Sequence, residues 1–132
     1  METFLIKDYM NPAPATVLPD TSLVDVAKIT VKEKISGVLV VDSSMTLLGM
    51  VSELDCLRLM VDGIYHDGRN TTLRAKDIMT KELTVTTPNA QLFDVVTSML
   101  NQRQRRRPVI ENGKLIGQVT CRQLLKIIIS FS

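Results

Sequence analysis

The feature that most constrains the fold is an internal repeat. The segment Lys7-Asp8-Tyr9-Met10 recurs as Lys76-Asp77-Ile78-Met79, a shift of 69 positions, and the same shift superimposes Pro19 on Pro88 and Val40 on Val109. After a turn the shift becomes 68, and Gly49-Met50-Val51-Ser52 falls on Gly117-Gln118-Val119-Thr120. The chain therefore consists of two copies of one unit.

The sequence of each copy predicts a short helix, a strand, a helix, two strands and a closing helix. This order of elements indicates a fold of the α+β class. Ser22 and Asp25 have the spacing of a capping box at the start of the first long helix. The dipeptide Asn112-Gly113 predicts a two-residue type I′ turn between the paired strands of the second copy. The closing helices are predicted from Glu53 to about Val61 and from Arg122 to about Ile129.

We place the first unit at residues 1–62, a linker at 63–74 and the second unit at 75–132. The linker holds Gly63, Asp67, Gly68 and Asn70, and also His66, which we expect to be a solvated loop residue. A body of about 60 residues is marginally stable alone, so the two units should pack together. Two similar units packed face to face generate a pseudo-twofold axis with related clefts near it.

Composition narrows the classes of protein. Sixteen basic and fourteen acidic residues leave a charge of +2, and aromatic residues make up 4% without tryptophan, so neither nucleic acid nor a membrane surface is an expected partner. Two cysteines, Cys56 and Cys121, are too few for a disulfide framework, and we interpret both as core thiols. No leader peptide or membrane-spanning run is recognisable, so we expect a cytoplasmic location.

Catalysis and metal binding find little support in the sequence. His66 is the single histidine, so a histidine metal site or an acid–base pair built on two histidines cannot be assembled. Glycine-rich phosphate loops are absent as well. We therefore expect no catalytic residue, no metal and no obligatory cofactor.

The junction between the last strand and the closing helix carries a recurring motif. Ser52 and Asp55 are three positions apart in the first copy, and Thr120 and Gln123 repeat that spacing in the second. Helix capping explains such pairs without any ligand. A carboxylate in a first turn can also accept hydrogen bonds from the two hydroxyls of a ribose, while helix N-terminal donors favour phosphate. Capping does not exclude binding.

Four arginines cluster in Arg103-Gln104-Arg105-Arg106-Arg107, where a helix gives way to a strand. Such a run is usually a solvated face that also complements a helix C-terminus. Guanidinium groups match the geometry of phosphate, and this is the one concentrated basic feature of the chain. We expect this arginine cluster to bind phosphate, and we call it the phosphate clamp.

The repeat, the junction motif and the Lys-Asp-x-Met start of each copy together resemble the CBS-domain family, over nearly the whole chain. The resemblance implies a tandem pair of β-α-β-β-α units that binds AMP, ADP, ATP or S-adenosylmethionine as a regulatory ligand. It also implies a homodimer, and a regulated enzyme or transporter as partner. It places one cleft at Ser52, Asp55, Thr80, Leu83, Arg105 and Arg106. The counterpart cleft comprises Asn11, Ala15, Ser36, Gly37, Val38, Thr120 and Gln123, and is expected to be weak because an amide replaces the carboxylate.

A second hypothesis is a protein-interaction or dimerisation module with vestigial clefts. It would use the apolar side of the last helix as a contact surface, with Leu124, Leu125, Ile128 and Phe131. The amphipathic spacing of these residues favours core packing over a contact surface.

Overall fold

The computed structural model describes residues 3–65 and 72–132. They form two compact units, a central unit of Ala15–Leu83 and a terminal unit of Met1–Pro14 together with Thr84–Ser132. These packing units differ from the sequence copies. The segments that lead into each copy, residues 3–14 and 72–83, are exchanged, so that each packs in the unit that holds the paired strands of the other copy.

The central unit is a three-stranded sheet covered by helices. β1 (Thr16–Val17) runs parallel to β2 (Gly37–Val41), and β2 pairs antiparallel with β3 (Leu47–Ser52). The helices are α1 (Leu23–Glu33), α2 (Glu53–Tyr65) and the short α3 (Ala75–Ile78). Their apolar faces close one core, which contains Val17, Leu23, Val26, Val38, Val40, Val51, Cys56 and Ala75.

The terminal unit repeats this plan. It begins with a 3-10 turn at Ile6–Asp8 and continues with α4 (Leu92–Gln102), the hairpin of β4 (Arg106–Glu111) and β5 (Lys114–Thr120), and α5 (Cys121–Ser130). Its core contains Ile6, Leu92, Val95, Met99, Val109, Val119 and Leu124. The predicted order of elements is confirmed in both copies, with one exception in the second.

That exception is the first strand of the second copy, which is reduced to a single parallel bridge between Thr86 and Val109. In the first copy the Leu39 N–H donates to the Ala15 carbonyl at 3.2 Å and extends the ladder. Pro108 occupies the position of Leu39 in the second copy. Proline has no N–H, so the corresponding ladder bond cannot form.

The predicted caps and turn are present. Ser22 Oγ accepts a hydrogen bond from Asp25 N at 3.1 Å at the start of α1. Asn112 and Gly113 have φ values of 52° and 77°, as a type I′ turn requires. Helix α2 instead passes through buried Gly63 to Tyr65, beyond the predicted end near Val61. His66 and the linker as far as residue 71 lie outside the described residues.

Two predictions about packing are wrong. Cys56 is buried, and burial raises the pKa of its thiol, but Cys121 is exposed at the first residue of α5. On α5 only Leu124 of the four named apolar residues is buried, whereas Leu125, Ile128 and Phe131 are exposed. An amphipathic spacing identifies an apolar face, and α5 places only part of that face against the core.

None of the helices within the described ranges has the length and apolar composition needed to cross a bilayer.

The exchanged segments are held by matching backbone pairs. Met50 and Thr80 exchange two N–H to carbonyl bonds of 3.0 and 2.9 Å in the central unit, and Asn11 and Gln118 exchange bonds of 2.8 and 3.0 Å in the terminal unit. Glycine precedes each strand partner. A Cβ at Gly49 would lie 2.8 Å from the Thr80 carbonyl oxygen and the Met79 side chain, so the close approach requires glycine.

We therefore expect Gly49→Ala to lower the free energy of unfolding by about 1–3 kcal/mol, measured by urea denaturation. Adding Met79→Ala should not restore stability, because the Thr80 carbonyl stays in place. The exposed Ser43→Ala serves as a control and should change stability by less than about 0.5 kcal/mol. A Gly49→Ala protein as stable as this control would contradict the close approach.

Candidate functional site

The predicted motif of the first copy lies at the junction of β3 and α2. Ser52 ends the strand, and its Oγ accepts a hydrogen bond from Asp55 N at 3.0 Å, so the serine caps the helix. The Glu53 N–H donates to the Ser36 carbonyl at 2.8 Å. Two backbone donors of the first turn are therefore satisfied within the protein, which leaves this N-terminus with fewer donors for an anion than the sequence suggested.

The Asp55 carboxylate is directed along the surface of α2. Its Oδ1 lies 3.2 Å from Arg58 Nη2, and the aspartate side chain is 31% exposed. An exposed ion pair of this kind contributes about 0–1 kcal/mol. Because a charge-assisted hydrogen bond contributes roughly 1.5–3 kcal/mol, ligand hydroxyls can compete with Arg58 for this carboxylate.

The exchanged segment brings Thr80 to the same strand. Thr80 pairs with Met50, which is two residues before Ser52, so the two positions lie about one pleat repeat apart along β3. Thr80 is exposed and Leu83, at the end of the segment, is half-buried. The central unit thus holds four of the six residues predicted for the first cleft, contributed by both copies: Ser52, Asp55, Thr80 and Leu83.

The second motif has the same cap but a different side chain. Thr120 Oγ1 accepts from Gln123 N at 3.3 Å, and Cys121 N donates to the Arg105 carbonyl at 2.9 Å. The Gln123 amide nitrogen donates to the Tyr9 carbonyl at 2.7 Å, while its Oε1 is buried without a partner among the described residues. This fixes the amide and leaves one acceptor atom where Asp55 offers a carboxylate.

The remaining residues predicted for the second cleft are divided between the packing units. Asn11 lies beside Thr120 and Gln123 in the terminal unit, and its Oδ1 accepts from Ala13 N at 3.0 Å. Ala15, Ser36, Gly37 and Val38 lie in the central unit. The Val38 side chain is fully buried in the core, so only its backbone could face a ligand.

The predicted phosphate clamp lies in the terminal unit, between the end of α4 and the start of β4. Arg105 is exposed and Arg106 is half-buried. Burial lowers the pKa of Arg106, but a guanidinium stays protonated at neutral pH. Since Asp55 belongs to the central unit, the approach of these arginines to its carboxylate stays a prediction.

Arg107 differs from its neighbours and was not distinguished from them by sequence. It is 4% exposed, its Nη1 donates to Ser98 Oγ at 2.8 Å, and its Nη2 donates to Gln104 Oε1. Within the described part of the chain no carboxylate pairs with it, and its Nε lacks a partner. The repeat indicated that Arg107 is buried, because Arg107 aligns with Val38 of the other core.

No group of three or more His, Cys, Asp or Glu side chains that could hold a metal ion occurs among the described residues. His66 lies outside them.

Known proteins are similar to this chain in sequence. The chain is 28% identical to the uncharacterised protein MJ1426 of Methanocaldococcus jannaschii, over 97% of this chain and 93% of that protein. It is 35% identical to inosine-5′-monophosphate dehydrogenase of Bifidobacterium longum, over 86% of this chain but only 20% of the enzyme. The chain thus spans nearly all of the first relative and about one fifth of the second.

A solved structure is similar over the whole length. CBSX2 of Arabidopsis thaliana, crystallised in complex with AMP, superimposes with a TM-score of 0.85 at 29% identity, covering 97% of this chain and 98% of that one. The family model of the CBS domain matches twice, at residues 6–62 and 75–130. With the repeated fold and the repeated capped junction, these matches show that the chain belongs to the CBS-domain family.

Proposed function

We propose that this chain is a non-catalytic regulatory module that binds an adenine nucleotide. The observation that carries the proposal is the placement of Ser52, Asp55 and Thr80 in one packing unit, although they come from different copies. The similarity to CBSX2, whose structure contains AMP, supports the choice of ligand class.

In this proposal each group has one role. The Asp55 carboxylate accepts hydrogen bonds from the ribose hydroxyls, and the Ser52 hydroxyl, while it caps α2, still has its own proton to donate. Thr80 and Leu83 contact the base. Arg105 and Arg106 bind the phosphates, as the family resemblance implies.

The counterpart cleft is proposed to be weaker. Gln123 has a single acceptor atom, the neutral Oε1, because its amide nitrogen is a donor and is bound to the Tyr9 carbonyl. One neutral acceptor cannot replace a carboxylate that accepts from two hydroxyls. Asn11, Ala15, Ser36, Gly37, Val38 and Thr120 would complete this second cleft.

Regulation requires that the ligand bind two states with different affinity. We propose that the nucleotide favours one relative orientation of the CBS units or of a dimer, and that a partner reads this orientation. An enzyme or transporter is the proposed partner class, and the match to a fifth of a dehydrogenase supports the enzyme. The cytoplasmic location stays a prediction from the sequence.

A second candidate function is self-association without a ligand. It is favoured by apolar residues that α2 and α5 leave exposed, among them Leu54, Ile64, Leu125 and Ile129. Exposed apolar side chains in such a row are typical of contact surfaces. The two functions are compatible, and ligand titration separates them.

The first test is a thermal shift with AMP, ADP, ATP and S-adenosylmethionine. A ligand at 100 times its dissociation constant stabilises the native state by about 2.7 kcal/mol, so at least one of the four should raise the melting temperature. Asp55→Asn should weaken the active ligand by roughly ten- to hundredfold in calorimetry. Asp25→Asn is the matched control, since Ser22 and Asp25 repeat the same cap on α1. A flat response to all four ligands would favour self-association alone.

Stoichiometry tests the asymmetry of the two motifs. Calorimetry should give one tight site per chain, and Gln123→Ala should leave its affinity unchanged, because Gln123 is assigned to the other cleft. Two equal sites in the unmodified chain would refute the assignment.

Substitutions of the two neighbouring arginines should have different effects on affinity and on stability. Arg106→Ala should reduce affinity for a nucleotide with phosphates about tenfold or more, with adenosine as the reference ligand. Arg107→Lys should instead lower the melting temperature, because lysine cannot hold Ser98 and Gln104 together, and should leave affinity unchanged. Loss of affinity in Arg107→Lys with unchanged stability would reverse these roles.

A further inference from the structure

The carboxylate of Asp55 is not used in the cap of its own helix. At the start of α3 the corresponding residue, Asp77, turns back so that its Oδ2 accepts a hydrogen bond from Arg74 N at 2.8 Å. Asp55 makes no such backbone bond within the described part of the chain, and its Oδ1 instead accepts from Arg58 Nη2 at 3.2 Å. Its Oδ2 has no donor among the same residues. The two oxygens therefore differ, because Arg58 occupies only one of them.

The same spacing occurs on two other helices without an ion pair. Lys28 follows Asp25 by three residues on α1. Lys126 follows Gln123 by the same interval on α5, and it aligns with Arg58 at the shift of 68. Both lysines are exposed, and neither forms a salt bridge within the described ranges. A cation at this position is common on a solvated helix face. Helix α2 differs because its cation contacts a carboxylate of the candidate site.

The ion pair between Arg58 and Asp55 is weak enough for a ligand to open it. The Arg58 side chain is 65% exposed and the Asp55 side chain is 31% exposed, so water screens their attraction. An exposed pair of this kind changes an equilibrium constant by no more than about fivefold. A ligand hydroxyl can therefore displace Arg58, and the displacement lowers the observed affinity by that factor at most.

We propose that Arg58 is a positioning residue that sets how strongly the site prefers ribose to 2′-deoxyribose. The two hydroxyls of a ribose lie side by side and match the two oxygens of one carboxylate. A ribose must therefore displace Arg58 from Oδ1 of Asp55, whereas the single hydroxyl of a 2′-deoxyribose binds Oδ2 with Arg58 in place. Arg58 thus weakens the binding of ribonucleotides selectively. This inference rests on the proposed nucleotide site and adds a residue that controls its selectivity.

Removal of the cation tests the selectivity. AMP and 2′-deoxy-AMP carry the same base and phosphate, so the ratio of their dissociation constants reports on the sugar alone. In calorimetry, Arg58→Gln should strengthen AMP binding about two- to fivefold and leave the affinity for 2′-deoxy-AMP unchanged. Arg58→Lys keeps the charge and should restore the ratio of the unmodified chain. Weaker AMP binding in Arg58→Gln, or an unchanged ratio, would contradict the proposed role.

The salt dependence of the same ratio gives a second readout. Exposed ion pairs weaken as ionic strength rises. In the unmodified chain the preference for AMP over 2′-deoxy-AMP should therefore increase with sodium chloride, and in Arg58→Gln it should stay constant. Lys28→Gln is the matched control, since it removes one charge at the same interval from Asp25 on α1. An equal change of the ratio in Lys28→Gln would assign the effect to overall charge and refute the inference.

Side-chain NMR of the ligand-free chain tests the ion pair without any nucleotide. Asp55→Asn should shift the Nη signals of Arg58, and Asp25→Asn should leave them unchanged. Unshifted signals in Asp55→Asn would overturn the inference even if AMP binds to the unmodified chain. If the Arg58 signals shift but AMP, ADP, ATP and S-adenosylmethionine all fail to bind, the proposed function fails, and with it the selectivity assigned to Arg58.

Discussion

The organisation of this protein depends on two short backbone pairings, Met50 with Thr80 and Asn11 with Gln118. Each pairing attaches a leading segment from one copy to the hairpin of the other. A Cβ on Gly49 or Gly117 would lie 2.8 Å or less from a backbone carbonyl of the attached segment, so glycine is required at both places. Together with bonds such as Ile6 N to the Ala90 carbonyl and Ala75 N to the Thr21 carbonyl, these pairings hold each leading segment in the unit that contains the hairpin of the other copy.

The same pairings create the chemistry of the candidate site. Thr80 follows Ser52 by 28 positions, and Thr120 follows Asn11 by 109. In each pair the first residue belongs to a different copy from the second, yet the ladder places them on one strand edge. A ligand that contacts a strand end and its attached segment therefore touches both copies. Under the proposed function, the affinity of such a ligand would depend on how the two copies are held.

The repeat made most of the fold predictable, because the duplicated spacing identified helices, hairpins and the Asn112-Gly113 turn. It did not predict the segment exchange, since single bridges leave no periodic pattern in the sequence. It also failed for α5, because a spacing that marks an apolar face does not tell a core from a contact surface. Asp55 and Ser52 could be found from their motif. The burial of Arg107 was indicated only by its alignment with Val38 in the repeat, because the run of arginines itself looks uniform.

Divergence between the copies makes the two capped junctions chemically different. The terminal unit carries Arg107, Gln118 and Gln123 where the central unit has Val38, Met50 and Asp55. Each of these three residues has one buried polar atom without a partner among the described residues. A buried unsatisfied group costs about 1–3 kcal/mol, so the terminal unit tolerates polar side chains that its counterpart lacks. The two capped junctions therefore offer a ribose different acceptors, a charged carboxylate in the central unit and one neutral amide oxygen in the terminal unit.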